Sequence, residues 1–339
     1  MAETRFATGD ALAAKVWAAK LIKEAIKDIF FAKFAGKSYN QMMTGQQISK
    51  EANQILLVNE ELTKKKGDQV TFGLRMRLTG DGVNTDNDYL EGNEEEMTFY
   101  DFAVVLEERG NAVRAKSKLD MQRPAFDLRS EFKPSLQDWI TEYMDKTTVT
   151  ALSTSPTSGE NIFGGDATAT TDIDSSDVMS TTVISKAMRK ARLHNPKMIP
   201  LNVGGKNYYV MLMHDYQFKA LQAEDAWINA QKYAGERGLN NPIFTGAEGV
   251  WDGVVIHKYE RINTYSTWGT GAVTGARALL LGSQAAVHGW SQRPSWYEKM
   301  FDYDRIPGVA CDIVWKAAKT VFNSKDFATI TVDTYISED

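Results

Sequence analysis

Lys66-Gly67-Asp68-Gln69-Val70-Thr71-Phe72 opens a run that continues through Leu74-Arg75-Met76-Arg77-Leu78 into an acidic tip. The tip reads Gly80-Asp81-Gly82-Val83-Asn84-Thr85-Asp86-Asn87-Asp88-Tyr89-Leu90-Glu91-Gly92-Asn93-Glu94-Glu95-Glu96, and the chain returns along Met97-Thr98-Phe99-Tyr100. Val70, Phe72, Leu74, Met76 and Leu78 are apolar at every second position, which predicts a strand with one apolar face. The connection is polar, glycine-punctuated and acidic, and it far exceeds the roughly two to five residues of an ordinary hairpin loop. A long two-stranded finger with a charged tip has nothing of its own to pack on. It makes physical sense lying across something else, and a second copy of the chain is the expected partner.

The chain around this finger has 339 residues, enough for one large or two ordinary domains with real cores. The apolar and charged fractions, 43% and 24%, are those of a globular protein, and eight Trp supply large core side chains. No apolar run is long enough for a membrane span, and Met1-Ala2-Glu3-Thr4-Arg5 lacks the layout of a signal peptide. The single cysteine, Cys311, sits in an apolar strand-like run and reads as a small core residue, in keeping with a reducing cytoplasm. A net charge of −5 argues against a protein that grips phosphates to read nucleic acid.

Outward from the finger, Leu12, Val16, Ile22, Ile26, Ile29 and Phe30 recur near helical spacing and predict an arm helix, and Met42 to Leu62 predicts a weaker helical stretch and linker. Beyond the finger, Phe132, Leu136, Trp139, Ile140, Tyr143 and Met144 give the longest helical pattern, with Leu128 and Leu152 extending it and Pro134 expected to bend or break it. Ser153 to Asp177, rich in Ser, Thr, Gly and Asp, is expected to be a surface excursion at a domain boundary. A helix through Ile184, Ala187, Met188 and Ala191 ends at Asn195-Pro196. Tyr208 to Met213 predicts a buried strand, Asp215 a helix cap, and Ala226 to Ala234 a further helix. Gly-punctuated Ile243 to Ile256 feeds a strand, and Ala278 to Gly282 is another. At the C-terminus Val309, Cys311, Ile313 and Trp315 alternate, Asn323 to Asp326 turns, and Ala328, Ile330, Val332 and Thr334 alternate, predicting a hairpin.

Catalytic and metal patterns are not legible. His194, His214, His257 and His288 are scattered, with no pair at ligand spacing, and there is no phosphate loop or nucleophile elbow. Gly204-Gly205-Lys206 is a two-glycine turn. Asn84, Asp86, Asp88 and Glu95 fall at the first, third, fifth and twelfth positions of a calcium loop, but Tyr89 stands where that loop needs Gly and the flanks read as strands. A solvated acidic loop needs no metal, and no cofactor is expected.

Taken together, these segments resemble the major capsid proteins of tailed bacteriophages, in the podophage-related branch of the Hong Kong 97-like fold. The resemblance rests on Lys66 to Phe72, on Leu90-Glu91-Gly92-Asn93-Glu94-Glu95 and on Gln122-Arg123-Pro124-Ala125-Phe126-Asp127-Leu128-Arg129. Val210 to His214, Phe244 to Gly249 with Gly253 to Ile256, and Leu281 to Ala286 add to it, in that order along the chain. It implies an α+β fold made of four parts. Residues 1–62 would be an N-terminal arm and 63–108 the extended loop lying over a neighbour. Residues 109–180 with 293–339 would form a peripheral domain with a spine helix, and 181–292 an axial domain. It implies a structural protein and no enzyme. Copies of the chain would assemble as pentamers and hexamers into an icosahedral shell, in a virion built in the host bacterial cytoplasm.

Other implied partners are a portal and a separate scaffolding protein, since no N-terminal scaffolding segment is evident. A cement protein is left open, and no membrane is involved. Packaged DNA would be held without sequence-specific contacts, and a neutral to acidic interior is expected from the −5 charge. In the founding example of the fold a loop Lys cross-links to a neighbour's Asn; 79–99 here contains no Lys, so no such link is expected. The candidate contact residues are the acids Asp86, Asp88, Glu91, Glu94, Glu95 and Glu96. Their expected counterparts on a neighbour are Arg109, Arg114, Arg123 and Arg129, with Lys116, Lys118 and Lys133 nearby. Two alternatives stand beside this reading: an encapsulin-like compartment of the same fold, and a mixed α/β enzyme, for which the chain offers no clustered titratable set.

Overall fold

The structure, a computed structural model, describes residues 30–34, 54–63, 67–76, 78, 80–83, 89–122, 128–157, 159–203, 205–232, 247–269 and 271–337. Of the expected arm helix only its end is among them. Phe30–Phe34 forms a turn of 3-10 helix with Phe31 and Phe34 buried. Phe30 stacks on Tyr259 with ring centroids 4.1 Å apart, and its backbone N–H donates to Asp145 Oδ2 at 3.1 Å. Burial raises the Asp145 carboxyl above its usual range despite that bond. The arm's end is thus docked on its own subunit.

The helical stretch expected up to Leu62 is corrected over 56–59, where Leu56–Asn59 is strand β1. Leu56 and Val58 alternate with half-buried neighbours, and a strand places such a pair on one face. The finger follows as β2 (Gln69–Arg75) and β3 (Phe99–Val105), and then β4 (Glu107–Arg114) and the short α1 (Lys118–Gln122). The spine is α2 (Leu128–Ser153), 26 residues long. Phe132, Leu136, Ile140, Met144, Thr148 and Leu152 are buried along it at every fourth position, one ridge laid into the core. Of the bend or break expected at Pro134, the break does not occur. Phe132 and Leu136, buried on either side, hold the axis while one i→i−4 bond is forgone.

The segment after α2 is corrected from a free excursion to a stitched edge. β5 (Asn161–Phe163) pairs in parallel with β16 (Thr329–Tyr335), and Tyr335 N–H donates to Asp177 O at 2.9 Å. Ile173 and Asp177 are buried there. Helix α3 (Thr181–Leu193) buries Val183, Ile184, Ala187, Met188 and Ala191, with Ser180 Oγ accepting from Val183 N–H at 3.4 Å. β6 (Leu201–Val203) and β7 (Lys206–Met213) form a tight hairpin, and Tyr209 to Met213 are all buried. The cap of α4 (Asp215–Gln222) lies one residue earlier than expected. His214 Nδ1 accepts from Tyr216 N–H at 3.3 Å, and Gln217 Oε1 from His214 N–H at 3.1 Å. Gln217 is itself locked, donating to Ala276 O at 2.9 Å and Thr334 Oγ1 at 2.7 Å, and this fixes where the helix starts. α5 (Asp225–Lys232) follows.

The remaining strands are β8 (Gly249–Trp251), β9 (Val254–Lys258), β10 (Thr264–Trp268), β11 (Val273–Leu281), β12 (Ala286–Phe301), β13 (Ile306–Lys319), β14 (Val321–Phe322) and β15 (Lys325–Asp326). Two sheets organise them. A four-stranded sheet runs β1-β12-β13-β4, and an eight-stranded sheet runs β5-β16-β11-β7-β9-β8 with β10 on β11 and β6 on β7. The expected C-terminal hairpin is corrected: β13 pairs with β12 and β4, whereas β16 pairs with β11 and β5. Only β14 and β15 close on each other, across Asn323 and Ser324 at φ 51° and 59°. Alternation marked both strands correctly, but it carries no information about which sheet each enters. For the same reason β12 runs across the expected 292/293 boundary. Pro294 sits where β12 shifts register against β13, the place a strand tolerates it.

Candidate functional site

The finger is anchored at its base and exposed at its end. Val70 pairs with Val104, Phe72 with Phe102 and Leu74 with Tyr100, so one face of both strands is apolar. Val70 is 8% exposed and Leu78 55%, so burial fades along the alternation. At the base the hairpin packs on its own chain, which corrects the expectation that it has no intrachain support. β12 passes close beneath it: a Cβ at Gly289 would meet Leu106 Cδ2 at 2.8 Å, so a larger residue there would push the Leu106 side chain aside. Phe102 meets Phe322 edge to face at 6.1 Å, and Asn323 Nδ2 reaches Tyr100 Oη at 3.4 Å. The strands stay bonded as far as Met76 N–H to Thr98 O at 3.0 Å.

The described part of the tip is held by its own hydrogen bonds. Glu95 Oε2 accepts from Gly80 N–H at 2.9 Å, Glu94 Oε2 from Gly92 N–H at 2.8 Å, and Asn93 Nδ2 donates to Tyr89 O at 2.9 Å. Glu91, Glu94, Glu95 and Glu96 are all exposed. Asp86 and Asp88 lie outside the described residues, as does Asn84 of the calcium-like pattern. What the charge pattern did not reveal is the apolar surface beside these acids. Leu78, Leu90, Met97 and Phe99 are between 53% and 63% exposed, and Tyr89 is 82% exposed. The signal was present in the alternation, which runs past the point where the chain offers anything to cover it.

The expected basic counterparts are engaged within the chain. Arg109 pairs with Glu107 at 3.3 Å on β4. The hydrogen bond from Lys316 is foremost in holding the Glu107 carboxyl below its usual range. The Arg114 guanidinium lies over the Phe301 ring, 5.1 Å from its centroid, and Arg129 at the start of α2 is paired with Glu298 of β12. Arg123 lies outside the described residues. Arg109 and Arg114 thus share the outer strand of the four-stranded sheet, and Arg129 ties the spine to that sheet. Among the described residues no ion pair joins Arg109 or Arg114 to the acidic tip.

The buried polar groups serve the frame. Arg277 and Asp333 form a two-point pair, Nε to Oδ1 and Nη2 to Oδ2, both at 2.7 Å; Asn161 Nδ2 also donates to Asp333 at 2.7 Å. Arg277 Nη1 donates to Ser153 O at 3.0 Å, so this knot fastens the end of α2 to the eight-stranded sheet. Lys319 and Asp326 form a second buried pair at 2.8 Å. His288 faces Thr148 Oγ1 at 3.1 Å and is pushed down to about 3 by burial, so it stays neutral. Cys311 is buried, and its thiol is pushed up to about 11. Among the described residues no group of His, Cys, Asp and Glu is placed to hold a metal, and no helix is long and apolar enough to cross a membrane.

A spine helix laid on one sheet, a second mixed sheet, and a finger anchored at its base and exposed at its end define a tile for a protein shell. The chain belongs to the family described as phage capsid protein, which it matches over residues 5–163 and 154–338. It is 25% identical to the major capsid protein of Pseudomonas phage KPP25, over 94% of this chain and 93% of that one. Among solved structures it superposes on the capsid of Ralstonia phage GP4 with a TM-score of 0.77 and 30% identity, over 86% of this chain and 89% of that one. The fold is therefore the Hong Kong 97-like capsid fold, and the chain is a phage major capsid protein, part of the virion. The SrpI encapsulin of Synechococcus elongatus matches in fold alone, at 9% identity and a TM-score of 0.51, over 88% of this chain and 96% of that one. The compartment alternative is accordingly the weaker.

Proposed function

We propose that this major capsid protein forms pentamers and hexamers that close an icosahedral shell around phage double-stranded DNA, in the cytoplasm of the bacterial host. Its role is structural, with no enzymatic step. The four-stranded sheet with α2 is the peripheral part and the eight-stranded sheet with α3 and α4 the axial part. Scaffolding and portal are separate proteins.

One observation carries the reading of the finger: its base is fixed by Gly289 and Phe322 while Leu78, Leu90, Met97 and Phe99 stand exposed beyond it. An ordered apolar surface on a projecting hairpin gains its stability only when another surface covers it. A neighbouring copy is that surface, with Glu91, Glu94, Glu95 and Glu96 facing cations at its rim. Asp86 and Asp88 are proposed to add to the same acidic rim. Arg109, Arg114, Arg123 and Arg129 remain the proposed counterparts, and an incoming carboxylate competes for Arg109 and Arg129 with Glu107 and Glu298. The test is deletion of Gly80 to Gly92. Electron microscopy should show shells for the intact chain, while the deleted chain stays folded and forms none that last. Intact shells from the deleted chain would remove the finger from this role; dispersed monomers from the intact chain would remove the shell itself.

A further inference from the structure

The chain is acidic overall, yet Lys186 to Lys197 carries five cations and no acid: Lys186, Arg189, Lys190, Arg192 and Lys197. They lie along α3 and the turn that follows it. Lys186, Arg189, Arg192 and Lys197 are exposed, and among the described residues none has a carboxylate within ion-pair reach. Lys190 alone is tied down, 4.0 Å from Glu160. Arg189 is exposed, and its Nε donates to Ser185 O at 3.3 Å, which fixes the side chain along the helix. The helix dipole accounts for Lys190 and Arg192, which sit in the last turn, but not for Lys186, Arg189 or Lys197. Four uncompensated cations on one ordered face repel one another in the isolated subunit, so their placement calls for a polyanion.

We infer that the outer face of α3 binds the phosphate backbone of double-stranded DNA through Lys186, Arg189, Arg192 and Lys197, and that it is therefore turned to the lumen of the shell. This rests on the shell reading above and departs from the expectation of a uniformly neutral to acidic interior. A neighbour's acidic tip is the competing occupant. That tip presents Leu78, Leu90, Met97 and Phe99 along with its carboxylates and needs an apolar partner. The α3 face offers it little beyond Leu193. Phosphates need only charge and donors, and binding without base contacts suits a genome of any sequence.

The test measures binding of a fluorescent duplex of about 30 base pairs to the full-length unassembled protein by anisotropy, between about 50 and about 200 mM salt. Four phosphate contacts predict a slope near −3.6 in log affinity against log salt, a loss of about 150-fold over that range. Changing the four residues to Gln together should bring the slope close to zero, while shells still form by electron microscopy. Changing exposed Lys146 to Gln should leave it unaltered. In the wild-type protein, bound duplex should protect Lys186 and Lys197 from acylation, read by mass spectrometry, which does not depend on the variant folding. No duplex binding by the wild type, binding unaffected by the four substitutions, or equal loss from Lys146→Gln would each overturn the proposal. So would loss of shells with DNA binding retained, which would give the face to a neighbour's tip. Failure here with wild-type shells intact leaves the shell reading standing.

Discussion

Asp333→Asn should be among the most damaging single changes away from the finger. Asp333 is fully buried and receives Arg277 Nε, Arg277 Nη2 and Asn161 Nδ2, each at 2.7 Å. Asparagine keeps the shape but removes the charge and one acceptor, so the Arg277 guanidinium is left buried between Ser153 O and the Tyr265 and Trp268 rings without its counter-ion. Breaking a buried pair from one side costs about 3–5 kcal/mol, because the remaining charge is uncompensated. Unfolding entropy of about 2.1 cal/mol/K per residue over 339 residues gives about 0.7 kcal/mol/K, so the midpoint should fall by about 4–7 °C. Calorimetry on the unassembled chain reads this directly. Replacing the pair together, Arg277→Met with Asp333→Leu, should recover most of the loss, since no buried charge is then stranded. A midpoint within about a degree of wild type for Asp333→Asn, or a double variant as damaged as the single, would refute the reasoning. Because the knot fastens the end of α2 to the eight-stranded sheet, the same variant should also yield fewer closed shells at a given temperature.

Changing Glu94, Glu95 and Glu96 to Gln together should lower the heat stability of shells at low salt. The loss should fade at high salt as the Debye length shrinks from about 10 Å at 0.1 M to about 3 Å at 1 M; no loss at either salt leaves these residues merely solvated, and a loss reversed by calcium points to a metal instead. Leu90→Ser should weaken shells but not the subunit, by up to about 1.5–3 kcal/mol per finger if the side chain is fully covered in the assembly, read as the denaturant midpoint of shells against that of subunits. His194 donates to Pro196 O at 2.6 Å and lies 3.3 Å from Glu160; the Glu160 carboxylate beside it is foremost in raising its imidazole above the usual 6.5. Burial alone would raise Glu160, but its contacts with His194 and Lys190 outweigh that and hold it below its usual 4.5. The His contribution is full below 6.5 and is lost as pH rises through the raised value, and the Glu contribution is full above 4.5 and is lost on acidification. Subunit stability from this pair should therefore be greatest between about 4.5 and 6.5, and His194→Gln should flatten the alkaline side of a pH–midpoint curve; an unchanged curve would show the pair to be inert.

Much of the frame was legible from residue spacing. The ridge from Phe132 to Leu152 repeats every four residues while Asp138, Glu142 and Lys146 between them are exposed; a helix turns those positions away, whereas a strand would put them on the same face. Val70 to Leu78 alternates, and a strand does the same for period two. These are local geometries, so the sequence by itself determined the spine, the finger, the face of α3 and the buried run of β7. Tertiary structure decided what local spacing cannot encode. Alternation in β13 and β16 is the same whether they pair with each other or enter different sheets, and burial against different partners sent them apart. Arg109, Arg114 and Arg129 are cations at any point of the sequence; only the approach of Glu107, Phe301 and Glu298 shows them occupied. The same holds in reverse for Lys186, Arg189, Arg192 and Lys197. Their charge is written in the sequence, but their lack of carboxylate partners among the described residues is a fact about distances, and distances between remote residues exist only once the chain has folded.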